Sequence, residues 1–207
     1  KSTRLGAKFM ESVSKEWFLF IGISFMLMVF FQEYAITLFV WFTGYDEYLG
    51  AISMIPYLTL AFLFRGIYIL PINTFYFTKK TKFLPIITLF SGTLNVVLNF
   101  ISIPYLGVMG AVYATTISFF INWILIEYFT RFTFKINYGK GTLIVLILIA
   151  SITLLTNELL SGYNWAISIP AKIIVTFTII FGMYFLNIVQ FKTTLNKYIW
   201  LVKKRIS

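Results

Sequence analysis

The chain contains no cysteine and no histidine. Those absences exclude disulfides, thiolate and imidazole metal sites, and the commonest general base of enzymes. Charge is also scarce: 12% of the 207 residues are charged, where a soluble domain carries roughly 25%. No glycine-rich phosphate loop occurs, so nucleotide hydrolysis is not encoded in these residues. The opening stretch Lys1 to Trp17 is mixed and polar, without the short apolar core and small-residue cleavage site of a signal peptide. No enzyme activity, metal or cofactor is expected.

What is present is apolar surface, with 59% hydrophobic and 20% aromatic residues. It is arranged in runs close to the ~20 residues a helix needs to cross ~30 Å of hydrocarbon. The first is Trp17 to Phe31, continued after Gln32 and Glu33 by Tyr34 to Phe42. The second is Leu49 to Phe77, the third Phe83 to Ile103, the fourth Gly107 to Phe129, the fifth Leu143 to Leu160 and the sixth Trp165 to Phe191. The expected fold is an all-α integral membrane protein with six transmembrane helices. A cytoplasmic leading segment at 1–16 precedes a six-helix region at 17–191, and a basic cytoplasmic or interfacial tail follows at 192–207. In that tail Phe191, Leu195, Tyr198, Ile199 and Val202 recur at helical spacing among lysines.

The net charge of +10 does not mark a nucleic-acid partner, because the basic residues are confined to short segments between apolar runs. Of the 17 lysines and arginines, all but Arg65 and Lys172 precede run one, follow run six, or separate runs two from three and four from five. The alternate loops hold Asp46, Glu47 and Glu158 and no base. Short loops rich in lysine and arginine stay in the cytoplasm, which predicts a multi-pass protein of the cytoplasmic membrane with both termini inside.

Polar groups within the runs are the informative residues, since backbone groups in lipid are already satisfied. Arg65 lies near the middle of run two, where an arginine costs at least about 2.5 kcal/mol to insert. It either lines a water-filled cavity, offering its planar fork to phosphate or carboxylate, or bonds helix carbonyls or a carboxylate such as Glu33. Run three carries Thr88, Ser91, Asn95, Asn99 and Ser102 on one helical face. Asn95 and Asn99 there either hydrogen-bond sugar hydroxyls from a cavity wall or bond between helices. Gly107, Gly110, Ala114, Ser118 and Asn122 form a small-residue ridge suited to close helix approach. Glu127 and Arg131 stand at ion-pair spacing. Pro56, Gly66 and Pro71 mark run two as bent or breakable.

The segment Asn95-Val-Val-Leu-Asn99, with Ile103-Pro104 and Gly107-Val-Met-Gly110-Ala-Val-Tyr-Ala114-Thr-Thr-Ile-Ser118, resembles paired helices of the multidrug, oligosaccharidyl-lipid and polysaccharide exporter superfamily. Upstream, Leu38-Phe39 through Phe42-Thr-Gly44-Tyr45 and Tyr48-Leu-Gly-Ala51 are similar to the crossing those proteins place at the outer surface. Within the superfamily the likeness is greatest to the polysaccharide transporter branch, the O-antigen type of flippase, and it covers roughly Trp17 to Arg131. The resemblance implies one lobe of a two-lobed flippase, with an N-terminal lobe missing from these residues. It implies that a polyprenyl-pyrophosphate-linked oligosaccharide is moved between leaflets of the bilayer, and it makes Arg65, Asn95 and Asn99 the candidate substrate-binding residues. The competing expectations are a multidrug antiporter of the same superfamily, with a cavity of acids and aromatics, and a non-transporting scaffold subunit. Ion coupling would need a buried carboxylate, for which Glu33, placed near an outer helix end, is the candidate.

Overall fold

A computed structural model describes residues 2–132 and 140–185 of the chain. Among these it is helical, with no strand: α1 (Ser2–Thr43), a 3-10 segment (Asp46–Ser53), α2 (Ile55–Phe77), a 3-10 turn (Thr81–Phe83), α3 (Leu84–Leu106), α4 (Val108–Thr130), α5 (Lys140–Leu160) and α6 (Trp165–Phe185). Six of these helices are long and apolar enough to cross a membrane. The chain is an all-α, multi-pass membrane protein. The basic tail beyond Phe185, and Lys135, Asn137 and Gly139 of the loop after α4, lie outside the described residues.

Several expected boundaries move, each for a local reason. The leading segment and the first run belong to one helix, as α1 runs unbroken from Ser2 through Gln32 and Glu33 to Thr43. Gly44 stops it, with φ +73 and its N–H donating to the Val40 carbonyl at 2.7 Å. The second run divides. Its first residues, Leu49 to Ser53, join Asp46 to Tyr48 in the 3-10 segment, and α2 begins at Ile55. Pro56 therefore occupies the first turn of α2, where its missing N–H has no intrahelical partner to lose, and it is a helix start and not a kink. Pro104 does not end α3, which continues to Leu106.

Gly107 alone turns α3 back into α4. Its φ of +58 is disfavoured for a residue with a Cβ. Its N–H bonds the Ile103 carbonyl at 2.8 Å and its own carbonyl accepts from Gly110 at 3.0 Å. The small-residue ridge then does what its spacing predicts: Gly110, Ala114 and Ser118 are buried. A Cβ on Gly110 would lie 2.6 Å from the Ser102 backbone, so only glycine permits this approach.

Three apolar clusters order the bundle. Phe75, Leu84, Ile87 and Ile126 join α2, α3 and α4. Phe18, Phe25, Val29, Leu63, Ile67, Leu70 and Leu146 join α1 to α2 and α5. Leu19, Met26, Phe30, Ile149 and Met183 join α1 to α5 and α6. Helix α4 is thus the centre of one half and α1 of the other, and α2 connects them. Gly66 serves that connection. Ile21 of α1 lies 3.3 Å from where its Cβ would be, and the Trp17 indole N–H donates to its carbonyl at 2.9 Å.

Because the helices alternate in direction, one end of the bundle carries Asp46, Glu47 and Glu158, and the other carries Lys79, Lys80, Lys82 and Arg131. The first is the acidic end of the bundle and the second the basic end.

Candidate functional site

The three residues expected to bind substrate fall in two places. Arg65 is the eleventh of the 23 residues of α2, about 15 Å from its start and about 18 Å from its end at 1.5 Å per residue. Leu63 and Ile67, on either side of it, are buried against α1, so Arg65 emerges on the opposite face, exposed beside Phe62, which is 58% exposed. Its guanidinium carbon sits 5.3 Å from the centroid of the Phe119 ring of α4, and Phe62 meets the same ring edge-on at 6.2 Å. Among the described residues it makes no ion pair. The expected alternative of a bond to Glu33 is not formed, because that carboxylate faces Lys172.

Asn95 and Asn99 are brought together on α3. Asn99 Nδ2 donates to the Asn95 carbonyl at 2.9 Å and to Asn95 Oδ1 at 3.0 Å. The same face turns toward α4: Asn122 Nδ2 donates to Ser91 Oγ at 2.9 Å, and Ser102 Oγ donates to the Gly110 carbonyl at 3.0 Å. Much of this polar face is therefore interhelical bonding. Asn99 Oδ1, enclosed and accepting no hydrogen bond, is the part of it left over. Asn95 and Asn99 bond each other on α3, whereas Arg65 meets the Phe119 ring of α4.

A second site was not expected. Lys172 of α6 is 0% exposed. Its ammonium donates to the Phe30 carbonyl at 3.3 Å, stands 5.3 Å from the centroid of Tyr34, and lies 3.9 Å from Glu33 Oε2. Beside it the Tyr34 hydroxyl donates to Ser168 Oγ at 3.0 Å, a second polar link between α1 and α6. Glu33 is not near a helix end. With α1 continuing to Thr43 it lies about 15 Å inside the helix. The sequence signal was there: Lys172 is one of two bases that break the inside–outside alternation, and its partner is the one carboxylate in the middle of a run.

Glu33 also faces outward from the pair. Its side chain is 42% exposed and lines a cavity of about 850 Å³ at the acidic end. The wall comprises Gln32 and Glu33 of α1, Ser53 of the 3-10 segment, Tyr57 of α2, and Asn157 and Glu158 of α5, set among apolar side chains. No lysine or arginine lines it, and neither do Asn95 and Asn99. Every titratable group on its wall is an acid or a tyrosine. No family model, curated protein or solved structure matches this chain, and the likeness to the exporter superfamily rests on the quoted segments alone.

Proposed function

We propose that the chain forms one lobe of a polysaccharide-type flippase, which moves a polyprenyl-pyrophosphate-linked oligosaccharide across the cytoplasmic membrane by alternating access. The observation that carries this reading is Arg65: a permanent cation exposed at mid-depth on an apolar helix, with a phenyl ring for its neighbour. Lipid does not tolerate that arrangement, so the face must border water or further protein. A guanidinium held over a ring keeps its hydrogen-bond donors directed outward, and its planar fork fits phosphate oxygens. One six-helix body supplies one wall of a cavity; the other wall belongs to the lobe that the resemblance implies upstream. The basic ends of the helices then face the cytoplasm.

A second reading, the multidrug antiporter, draws on the acidic cavity, whose wall of Glu33, Glu158 and Tyr57 suits a cationic substrate. The two readings assign different faces, and thiol chemistry separates them cleanly because the chain has no cysteine of its own. In the intact transporter, Arg65→Cys reacts with an impermeant positively charged thiol reagent, and Arg65→Ala removes most flipping at normal abundance while Arg65→Lys reduces it substantially. Unchanged flipping in Arg65→Ala removes the substrate-contact role. A cysteine at 65 that does not react favours a non-transporting scaffold.

A further inference from the structure

The turn between α2 and α3 concentrates positive charge at the basic end. Lys79, Lys80 and Lys82 stand within four positions, are all exposed, and make no ion pair among the described residues. No acid occurs between Thr78 and Phe83. The way α2 closes fixes the shape of the turn: the Thr78 N–H donates to the Thr74 carbonyl at 2.9 Å and the Lys80 N–H to the Phe75 carbonyl at 3.0 Å. This wrap leaves Lys79 at φ +57, a left-handed conformation that glycine adopts freely and a residue with a Cβ does not. Glycine would fold more easily there, so what the position gains from lysine is the side chain. The Lys82 ammonium stands 5.3 Å from the centroid of Phe83, whose ring stacks on Phe129 of α4 at 5.9 Å. The surface below these cations is apolar. On the face of α3 that continues from Lys82, Ile86, Leu89, Val96 and Phe100 recur at helical steps, interrupted only by Thr93, and all of them are exposed.

We infer that the α2–α3 turn is a binding site for an anionic phospholipid, its phosphate held by Lys79, Lys80 and Lys82 and its acyl chain lying along the exposed face of α3. Clustered bases at the end of a membrane helix attract anionic headgroups, and the attraction falls away within a Debye length. A free anion has a use for the lysines alone. A molecule with phosphate at one end and hydrocarbon at the other uses the lysines and the apolar face together, which is why the ligand is a lipid. The headgroup is anionic and not zwitterionic because the ammonium of a choline headgroup would be repelled by three lysines with no acid among them. The inference stands apart from the flippase reading, since it uses neither Arg65 nor the asparagines of α3.

The test is thermal unfolding of the purified 207-residue chain in neutral detergent micelles. The micelles are titrated with phosphatidylglycerol and, in parallel, with phosphatidylcholine or inorganic phosphate at constant ionic strength. A ligand that binds only the folded state raises the midpoint in a saturable way. Phosphatidylglycerol is expected to do so; phosphatidylcholine and phosphate are not. Lys79→Gly relieves the left-handed backbone, so it is expected to keep or raise the midpoint without lipid. The same variant is expected to raise the half-saturating lipid concentration about fivefold, the share of one base near an anionic headgroup. A loss of response in Lys79→Gly therefore cannot come from misfolding. Combining it with Lys80→Gln and Lys82→Gln is expected to abolish the response, whereas Lys15→Gln, which removes the same charge from α1, is expected to leave it unchanged. Equal responses to phosphatidylglycerol and phosphatidylcholine overturn the inference, as does a full phosphatidylglycerol response in the triple variant. A shift with inorganic phosphate alone overturns it by reassigning the turn to soluble anions. A loss in Lys15→Gln as large as in Lys79→Gly overturns it as well, because attraction by net charge is then enough.

Discussion

Arg65 and Lys172 make the same exception to the charge pattern and are treated in opposite ways by the fold. Each is a cation well inside an apolar run. On α2, Arg65 is pushed out of the bundle onto a surface of phenylalanines, with a ring for company. On α6, Lys172 is drawn wholly inside and given a carbonyl, a carboxylate and a ring. Hydropathy rates the two positions alike. The difference lies in what the facing helix offers: α1 brings a carboxylate and a helix carbonyl to Lys172, whereas α4 meets Arg65 with the Phe119 ring. A buried cation with its counter-charge in place is a structural element, and an exposed one at mid-depth must border water or further protein.

The largest effect should come from breaking the buried pair. Glu33→Ala leaves the ammonium of Lys172 without its carboxylate and is expected to destabilise the chain by about 3 kcal/mol, the low end of the usual range because Glu33 is partly exposed. Thermal or denaturant unfolding measures this. Lys172→Met in the same background should recover most of it, since an apolar side chain of similar length fits the same space; no recovery would mean that Glu33 acts through something other than the pair. Next in size, Gly110→Ala drives a methyl into the Ser102 backbone and is expected to cost about 2 kcal/mol through forced separation of α3 and α4, checked in the same assay. Gly92, which has nothing near its Cβ position, should accept alanine without loss and serves as the control.

Smaller effects sharpen the contrast. Arg65→Ala should change stability by less than about 1 kcal/mol, the size of an exposed contact between a cation and a ring. A loss as large as that of Glu33→Ala would make Arg65 a structural residue and end the comparison. Tyr34→Phe removes only the hydrogen bond to Ser168 and should cost about 0.6 kcal/mol, a typical value for a bond between membrane helices.

The number and order of the spans were legible because a bilayer leaves little choice: runs of this length and hydropathy must be helices, and their ends must carry the polar residues. The ridge from Gly107 to Ser118 was legible for a similar reason, as four-residue spacing of small side chains has one common use. Boundaries were harder where two local signals competed. Pro56 reads equally as a kink or a helix start, and only the turn formed by Asp46–Ser53 decides for the start. The run of polar residues on α3 read equally as cavity wall or interhelical seam, and the bonds from Asn122 and Ser102 place much of it in the seam.

The sequence by itself therefore determined that this protein is a bundle of six membrane-crossing helices with an acidic and a basic end, because those properties depend on composition and period along one chain. Only the tertiary structure decided which intramembrane charge is paired and which is exposed, and that Gln32, Glu33, Asn157 and Glu158 share one cavity. Those facts depend on which helix stands beside which, and Glu33 and Lys172 are brought together from opposite ends of the chain by apolar clusters in which neither takes part.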